Sequence, residues 1–261
     1  MSDGIYAALS GAIAQERALN AVANNVANVN TTGFKADKTV FAEVMNEVKN
    51  ERKIGPSLRY STVNQFAVDP QPGSLKLTGR PFDVALHGDG YFTVRTPLGE
   101  RYTRDGSFVL DADGILRTSG GYEVLQESVM DAASTNDPTK LPEGQPIFVP
   151  IDSRDVQINQ NGVIAIDGQP VGRLKLVRFD SQEDALREGL TLFTHQENRE
   201  PFRVHPSTTV EQGYLESANV NAVSGMNELI SVSRHFEALE KVIETFRQLD
   251  DRTARDVGGR A

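Results

Sequence analysis

The sequence predicts an α+β protein, with long helices near both chain ends and a central, mainly antiparallel β domain between them. The helices are predicted because apolar residues recur at alternating steps of three and four near each end. The β domain is predicted because short runs of strand-forming residues alternate with turn-forming dipeptides in the middle of the chain. The boundaries follow these changes of pattern: helical residues 1–35 and 215–261, an extended connector over 36–74, and the β domain over 75–214.

The N-terminal helix is predicted between Ile5 and Val29, about seven turns or roughly 37 Å long at 1.5 Å per residue. Gly33 lies where such a helix would need to stop. The seam of this helix consists of Ile5, Ala8, Ala12, Gln15, Leu19, Val22, Val26 and Val29, and only Gln15 interrupts its apolar character.

The C-terminal helix repeats the same spacing. Its seam consists of Ala222, Gly225, Leu229, Val232, Phe236, Leu239, Ile243 and Phe246. Two helices with narrow seams cannot enclose a core by themselves, so the stripes must meet each other or other chains. This favours a paired, coiled-coil-like assembly domain. Packing of both helices on the β domain is an alternative that the periodicity leaves open.

The segment between the first helix and the β domain has weak periodicity and several structure-breaking dipeptides. They are Gly55-Pro56, Asp69-Pro70 and Pro72-Gly73. These residues favour an extended connector over 36–74.

Five dipeptides in the β domain suit tight turns because their residues tolerate positive φ angles. They are Asp89-Gly90, Asp105-Gly106, Asp113-Gly114, Asn161-Gly162 and Asp167-Gly168. Hairpins are therefore expected to dominate this domain.

Composition excludes several classes of protein. The chain has 261 residues, no cysteine and a formal net charge of −9, which disfavours nucleic acid as a partner and excludes disulfides and thiol chemistry. No apolar run approaches the roughly 20 residues that a membrane span needs. The first residues, Met1 to Ala8, lack a basic head and an apolar stretch, so no cleavable signal peptide is expected.

Nothing in the sequence indicates a catalytic, cofactor or metal site, and no small-molecule substrate is expected. The histidines do not have the spacing of a zinc helix, and no phosphate-binding glycine loop is present. The recurring carboxylates Asp105, Asp111, Asp113 and Asp167 lie in or beside turns. Turn geometry explains them, although paired carboxylates acting on a periplasmic glycan, or a glycan-binding module, form a less favoured alternative.

The end of the first helix carries the most conspicuous polar motif, Asn24-Asn25-Val26-Ala27-Asn28, followed by Thr31-Thr32-Gly33-Phe34-Lys35. One interpretation is a polar helix end, with Gly33 as terminator and Phe34 as anchor. The other is that the asparagine amides fix neighbouring subunits in register, where an apolar seam alone would allow sliding.

These residues resemble the bacterial flagellar axial proteins of the rod and hook. A second landmark of that family is similar to Gln212-Gly213-Tyr214-Leu215-Glu216-Ser217-Ala218-Asn219-Val220-Asn221, near the C-terminal helix. The β domain contains similar segments, including Gly88-Asp89-Gly90-Tyr91-Phe92. Within the basal-body rod proteins, the tract from Val171 to Val177 resembles the proximal rod branch more than the distal rod branch, which is the alternative.

The resemblance implies a structural subunit of the flagellar basal-body rod, not an enzyme, that helps to transmit torque for motility. It implies export from the cytoplasm by the flagellar type III apparatus, location in the periplasmic rod, and assembly with copies of itself and other rod subunits. The implied assembly motif is Asn24, Asn25, Asn28, Thr32, Gly33, Phe34, Gly213, Glu216, Asn219, Val220 and Asn221. The implied assembly seam is Ile5, Leu19, Val22, Val26, Val29, Leu229, Val232, Phe236, Leu239, Ile243 and Phe246.

Overall fold

The computed structural model describes residues 2–45, 59–127, 144–151, 153, 155–179, 184–195, 202–203 and 208–258. Two helices are described, α1 (Ser2–Ala27) and α2 (Ala222–Gly258). The first nine strands are β1 (Asp37–Met45), β2 (Arg59–Val68), β3 (Leu75–Leu77), β4 (Val84–His87), β5 (Tyr91–Thr96), β6 (Gly99–Thr103), β7 (Phe108–Leu110), β8 (Leu116–Thr118) and β9 (Glu123–Gln126). The others are β10 (Gln145–Pro146), β11 (Val156–Ile158), β12 (Val163–Ile166), β13 (Gln169–Arg173), β14 (Leu176–Arg178), β15 (Ala185–Arg187), β16 (Leu192–His195), β17 (Phe202–Arg203), β18 (Thr209–Gln212) and β19 (Tyr214–Glu216). The predicted α+β class is confirmed.

The chain divides into two compact units that do not coincide with the predicted boundaries. The helical unit contains Met1–Ala27, Asp37–Ala67 and Asn221–Ala261, and the β unit contains Asn28–Ala36 and Val68–Val220. The β unit thus includes the segment that directly follows α1 and the segment that directly precedes α2.

In the helical unit, α1 and α2 pack against each other. Small residues allow a close approach: a Cβ on Gly225 would lie 2.7 Å from Cγ2 of Val26, and one on Gly11 would lie 3.6 Å from Cδ1 of Leu239. Glycine within a helix costs about 1 kcal/mol relative to alanine. The buried Gly225 is therefore explained by the space that Val26 occupies.

Strands β1 and β2 pair in a two-stranded sheet within the helical unit. Both lie in the segment predicted as an extended connector, and residues 46–58 of that segment lie outside the described residues. The described part of this segment is extended, as expected, but its two strands pair as neighbours in a sheet instead of forming a single unpaired connector.

The β unit is built on a ten-stranded sheet whose central path runs β15-β16-β6-β5-β9-β8-β7, with β14, β17 and β10 paired beside it. A three-stranded meander, β11-β12-β13, and the pairs β18-β4 and β19-β3 complete the described strands. The described strands of this unit pair in antiparallel fashion. One cluster of buried side chains joins the sheet to the meander and includes Phe92, Leu116, Ile164 and Leu174.

Three of the five predicted turn dipeptides join neighbouring paired strands. Asp113-Gly114 joins β7 to β8, Asn161-Gly162 joins β11 to β12, and Asp167-Gly168 joins β12 to β13 with positive φ at both positions. The other two do not make hairpins, because the strands on either side of them pair elsewhere. In the second of them, Gly106 serves close packing: a Cβ there would lie 1.7 Å from the carbonyl oxygen of Val84.

Candidate assembly motifs and the buried ion cluster

The predicted seam of α2 coincides with the partly buried positions of that helix. Between Leu229 and Phe246, the seam side chains are half-buried while most other positions are exposed. On α1, Val22 is buried, and Ile5, Leu19 and Val26 are half-buried, as is Val29 just beyond the helix. The remaining seam residues of α2 in this group are Val232, Phe236, Leu239 and Ile243.

Most of the buried contact surface of α1 is alanine. Its buried side chains are Ala8, Ala12, Ala14, Ala18, Ala21 and Val22. Large apolar side chains lie instead on another face: Tyr6 is 58% exposed, Leu9 45% and Ile13 44%. On α2, Met226 and Ile230 are also more than half exposed. The pairing of the two helices therefore leaves much of their apolar surface in contact with solvent.

The asparagines at the end of α1 have separate local partners. The side chain of Asn25 exchanges two hydrogen bonds with the backbone of Asp37, at 2.9 and 2.8 Å, and so fixes the start of β1. Asn28, in the β unit, accepts a hydrogen bond from Oγ1 of Thr31 at 3.2 Å. Asn24 and Thr32 are half-buried.

Gly33 is required by its backbone and by its surroundings. Its φ is +67°, which side-chain-bearing residues rarely adopt, and a Cβ would lie 2.4 Å from backbone atoms of Arg104 and Asp105. Its N–H donates to the carbonyl of Glu216 at 2.8 Å. Gly33 does not terminate the helix as predicted, because α1 ends six residues earlier, at Ala27. Gly33 instead packs against Arg104 and Asp105 and binds the backbone of Glu216.

Phe34 is fully buried next to this point. The guanidinium of Arg187 lies over its ring, 4.8 Å from the centroid, and also donates to the carbonyl of Lys35. The predicted anchoring contact of Phe34 lies within the β unit.

Lys35, Arg104 and Glu216 form a buried ion cluster. Their side chains are 1%, 4% and 1% exposed. The Lys35 Nζ lies 2.6 Å from Oε1 of Glu216, and Nη1 of Arg104 lies 3.3 Å from Oε2. Burial lowers the pKa of Lys35 below its ordinary value, although the carboxylate of Glu216 opposes this effect.

Backbone groups form further hydrogen bonds with the three side chains of this cluster. Lys35 Nζ also donates to the carbonyl of Gln71 at 2.9 Å, and Oε1 of Glu216 accepts from the N–H of Gly73 at 3.0 Å. Nη2 of Arg104 donates to the carbonyl of Gly88 at 2.8 Å. Each charged side chain is therefore paired and hydrogen-bonded, as burial requires, although the buried Nε of Arg104 has no hydrogen-bond partner among the described residues.

The side-chain amide of Asn219 connects two segments of the chain that are distant in sequence. Its Oδ1 accepts from the N–H of Ala36 at 2.7 Å, and its Nδ2 donates to the carbonyls of Asp69 and Gln71 at 3.1 and 3.0 Å. Gly213, with φ +80°, donates to the carbonyl of Asp83. The two motifs, far apart in sequence, thus meet inside the β unit.

Val220 is half-buried at the end of the β unit, and Asn221 caps α2. The Asn221 Oδ1 accepts from the N–H groups of Val223 and Ser224 at 3.0 and 3.1 Å, which satisfies two otherwise unpaired donors of the first helical turn.

The predicted motif residues do not include the basic side chains at the place where the two motifs meet. These side chains are Lys35, Arg104 and Arg187. Lys35 directly follows Gly33-Phe34 at the end of the N-terminal motif, and this position beside the expected anchor was the available signal. Its partner Glu216 is 181 residues away. Periodicity and local spacing contain no information on a pairing over that distance.

The recurring carboxylates have local roles in turns and on strands. Oδ1 of Asp105 accepts from the N–H and Oγ of Ser107, at 3.0 and 2.6 Å. Burial raises the pKa of Asp105 above its ordinary value, and the hydrogen bonds from Ser107 oppose the shift. Asp111 pairs with Arg117 at 2.8 Å. Among the residues with described positions, no cluster of three or more metal-ligating side chains occurs.

Neither described helix has a stretch long and apolar enough to cross a membrane.

Family profiles match most parts of the chain. The profile "Flagella basal body rod protein" matches residues 5–35, and "Flagellar hook protein FlgE/F/G D1 domain" matches residues 85–166. The profile "Flagellar basal body rod FlgEFG protein C-terminal" matches residues 211–256. The first and last of these contain the two motifs that meet at the ion cluster.

Curated relatives match over nearly the full length. The flagellar basal-body rod protein FlgF of Mesorhizobium japonicum is 31% identical over 261 residues, which cover 100% of both chains. FlgF of Escherichia coli K12 is 34% identical, covering 98% of this chain and 97% of its own. The rod protein FlgG of Buchnera aphidicola from Acyrthosiphon pisum is 31% identical, covering 95% and 97%.

These relatives confirm the prediction of a structural rod subunit rather than an enzyme. The chain belongs to the flagellar basal-body rod protein family.

Proposed function

We propose that this protein is a subunit of the flagellar basal-body rod whose two terminal helices complete their packing only in the assembled rod. The observation that carries this proposal is the apolar surface left exposed on both helices. Tyr6, Leu9 and Ile13 on α1, together with Met226 and Ile230 on α2, are each at least 44% exposed. Large apolar side chains exposed together on a helix are typical of interaction sites.

The spacing of these residues fits a helical partner. Tyr6, Leu9 and Ile13 lie at steps of three and four, so they line one side of α1. Another helix with the same spacing could pack along that side as in a coiled coil. We therefore assign as partners copies of the same chain and other subunits of the basal-body rod, which together transmit torque.

The proposed route to the rod is export by the flagellar type III apparatus, without a cleavable signal peptide, and the proposed location is the periplasmic part of the basal body. The position within the rod is the finer part of the proposal. The tract from Val171 to Val177 and the full-length FlgF relatives favour the proximal rod. The FlgG relative, of similar identity, makes the distal rod the alternative.

The test is complementation of a strain in which this gene is deleted. One plasmid supplies the full chain, and another supplies the chain ending at Val220, which retains every residue of the β unit. We expect motility and a complete rod, seen by electron microscopy of basal bodies, only with the full chain. Normal swimming of the deletion strain, or full rescue by the shortened chain, would contradict the proposal.

A further inference from the structure

Glu216 and Asn219 join segments of the β unit that are distant in sequence. The backbone and carboxylate of Glu216 bind Gly33, Lys35, Gly73 and Arg104. Strand β18 and strand β19, which ends at Glu216, pair with β4 and β3 respectively. One short stretch, 209–219, therefore supplies two strand pairings and the anion of the ion cluster.

Removing that stretch would leave two buried cations without their carboxylate. Lys35 and Arg104 are almost fully buried, and burial already disfavours the charged form of Lys35 with Glu216 in place. An isolated charge in a protein interior is strongly unfavourable. The arrangement around Lys35 and Arg104 is thus stable only when Glu216 occupies its position.

The stretch 209–219 is also the last part of the β unit along the chain. Its carboxylate binds Lys35 across 181 residues and Arg104 across 112. Contacts over such separations form late, because the entropy of closing the intervening loops must be overcome first. Chain order and loop entropy therefore both place this contact at the end of folding.

We propose that Lys35, Arg104 and Glu216 form a terminal latch, which closes the β unit only when the C-terminal motif has been delivered. Before that point the two cations remain hydrated and the unit stays open. The latch is a property of the β unit alone and does not depend on the role in the rod. For a chain exported from its N-terminus, it would keep the β unit unfolded until its last segment arrives.

The experiment measures folding and unfolding rates of the full chain by tyrosine fluorescence after rapid dilution of denaturant. Tyr91 reports on closure, because the guanidinium of Arg104 lies 5.3 Å from its ring centroid. The variant is Glu216→Gln, and the matched control is Glu211→Gln on the neighbouring strand, where the side chain is only half-buried.

Glu216→Gln is expected to accelerate unfolding by about a hundredfold and to change the refolding rate by less than about threefold. Glu211→Gln should change neither rate by more than about twofold. Slower refolding of Glu216→Gln with unchanged unfolding would overturn the latch, because Glu216 would then act early. Rates equal to those of the control would overturn it as well.

A double-variant cycle tests whether the unpaired cation is the cause. Lys35→Met combined with Glu216→Gln should unfold at least about tenfold more slowly than Glu216→Gln alone, because one buried charge has been removed. If the effects of Lys35→Met and Glu216→Gln on the logarithm of the unfolding rate simply add, the two side chains are not coupled and the latch is refuted. If Glu216→Gln does not fold, Glu216→Asp can replace it, because Asp keeps the charge on a shorter side chain. Faster unfolding with a nearly unchanged refolding rate is expected for this variant as well.

Discussion

The helical unit and the β unit satisfy their apolar groups in different ways. In the β unit, large side chains such as Phe92, Leu125 and Phe193 are fully buried. In the described part of the helical unit, the fully or nearly buried side chains are alanines and Val22, and the larger residues of the seam are only half-buried. The β unit therefore contains a core of large apolar side chains, whereas the described side chains that the helical unit buries are mainly alanine.

The two units also differ in how their polar side chains are used. The β unit buries Lys35, Arg104 and Glu216 together, with hydrogen bonds to backbone groups. In the helical unit, two motif asparagines bind backbone groups at the starts of elements, Asn25 at the start of β1 and Asn221 at the start of α2. The motif residues of the β unit thus build a buried ion cluster, whereas Asn25 and Asn221 fix the starts of β1 and α2, and both helices expose apolar side chains.

The largest effect is expected from charges placed in the α2 seam. Replacing Leu229, Phe236 and Ile243 together by Asp should destabilise the helical unit by about 5 kcal/mol, because half-buried apolar area is lost and carboxylates are brought to the helix interface. Far-ultraviolet circular dichroism should show less helix, and motility should be lost. The tyrosine signal of the β unit should persist.

The control for this variant places the same three charges on exposed positions of α2, as Ser231→Asp, Ala238→Asp and Gln248→Asp. It should retain the helical signal. Normal swimming of the seam variant would refute the role of the seam in assembly.

Gly33→Ala should destabilise the β unit by about 3 kcal/mol or more, because its Cβ would overlap the backbone between Arg104 and Asp105. Gly121→Ala is a matched comparison: its φ is +84°, and nothing lies within 4 Å of the added Cβ. It should cost only about 1 kcal/mol. Denaturant unfolding measures both, and equal losses would show that Gly33 is not packed as described.

Asp105→Asn should remove part of the pH dependence of the β unit. A raised pKa means that the native state holds the Asp105 proton more tightly than the unfolded chain does. The resulting stabilisation is complete below the ordinary aspartate pKa of about 4 and is lost as the pH rises through the raised value.

The Asn variant keeps the acceptor for Ser107 and has no charge to bury. Relative to that of the wild type, its unfolding free energy should rise as the pH is raised from about 3 to about 7. Identical pH profiles from denaturant titrations would contradict the buried-carboxylate explanation.

The smallest effect on stability is expected from the exposed stripe of α1. Leu9→Ser with Ile13→Ser should change the unfolding free energy of the isolated chain by no more than about 0.5 kcal/mol per site, because both side chains are 44–45% exposed. Motility should nevertheless fall sharply. Unchanged swimming would show that this stripe is not an assembly surface.

The sequence predicted the features that have a local pattern. The seam positions from Leu229 to Phe246 could be read from helical periodicity, and the turn dipeptides Asp113-Gly114 and Asp167-Gly168 from their tolerance of positive φ. The pairing of β1 with β2 was not predicted, because the breakers between Gly55 and Gly73 obscured the strand pattern. The ion cluster was not predicted either, since Lys35 and Glu216 are joined only by the tertiary fold.

We expect the β unit to be complete in one chain and the helical unit to be completed by assembly. Amide hydrogen exchange on the dilute, monomeric full chain tests it most directly, with residues 5–29 compared with core strands such as β5 and β9. The expected result is strong protection of the strands, weak protection of α1, and a gain of protection in α1 within assembled rods. Complete protection of residues 5–29 in the monomer, equal to that of the core strands, would contradict the claim.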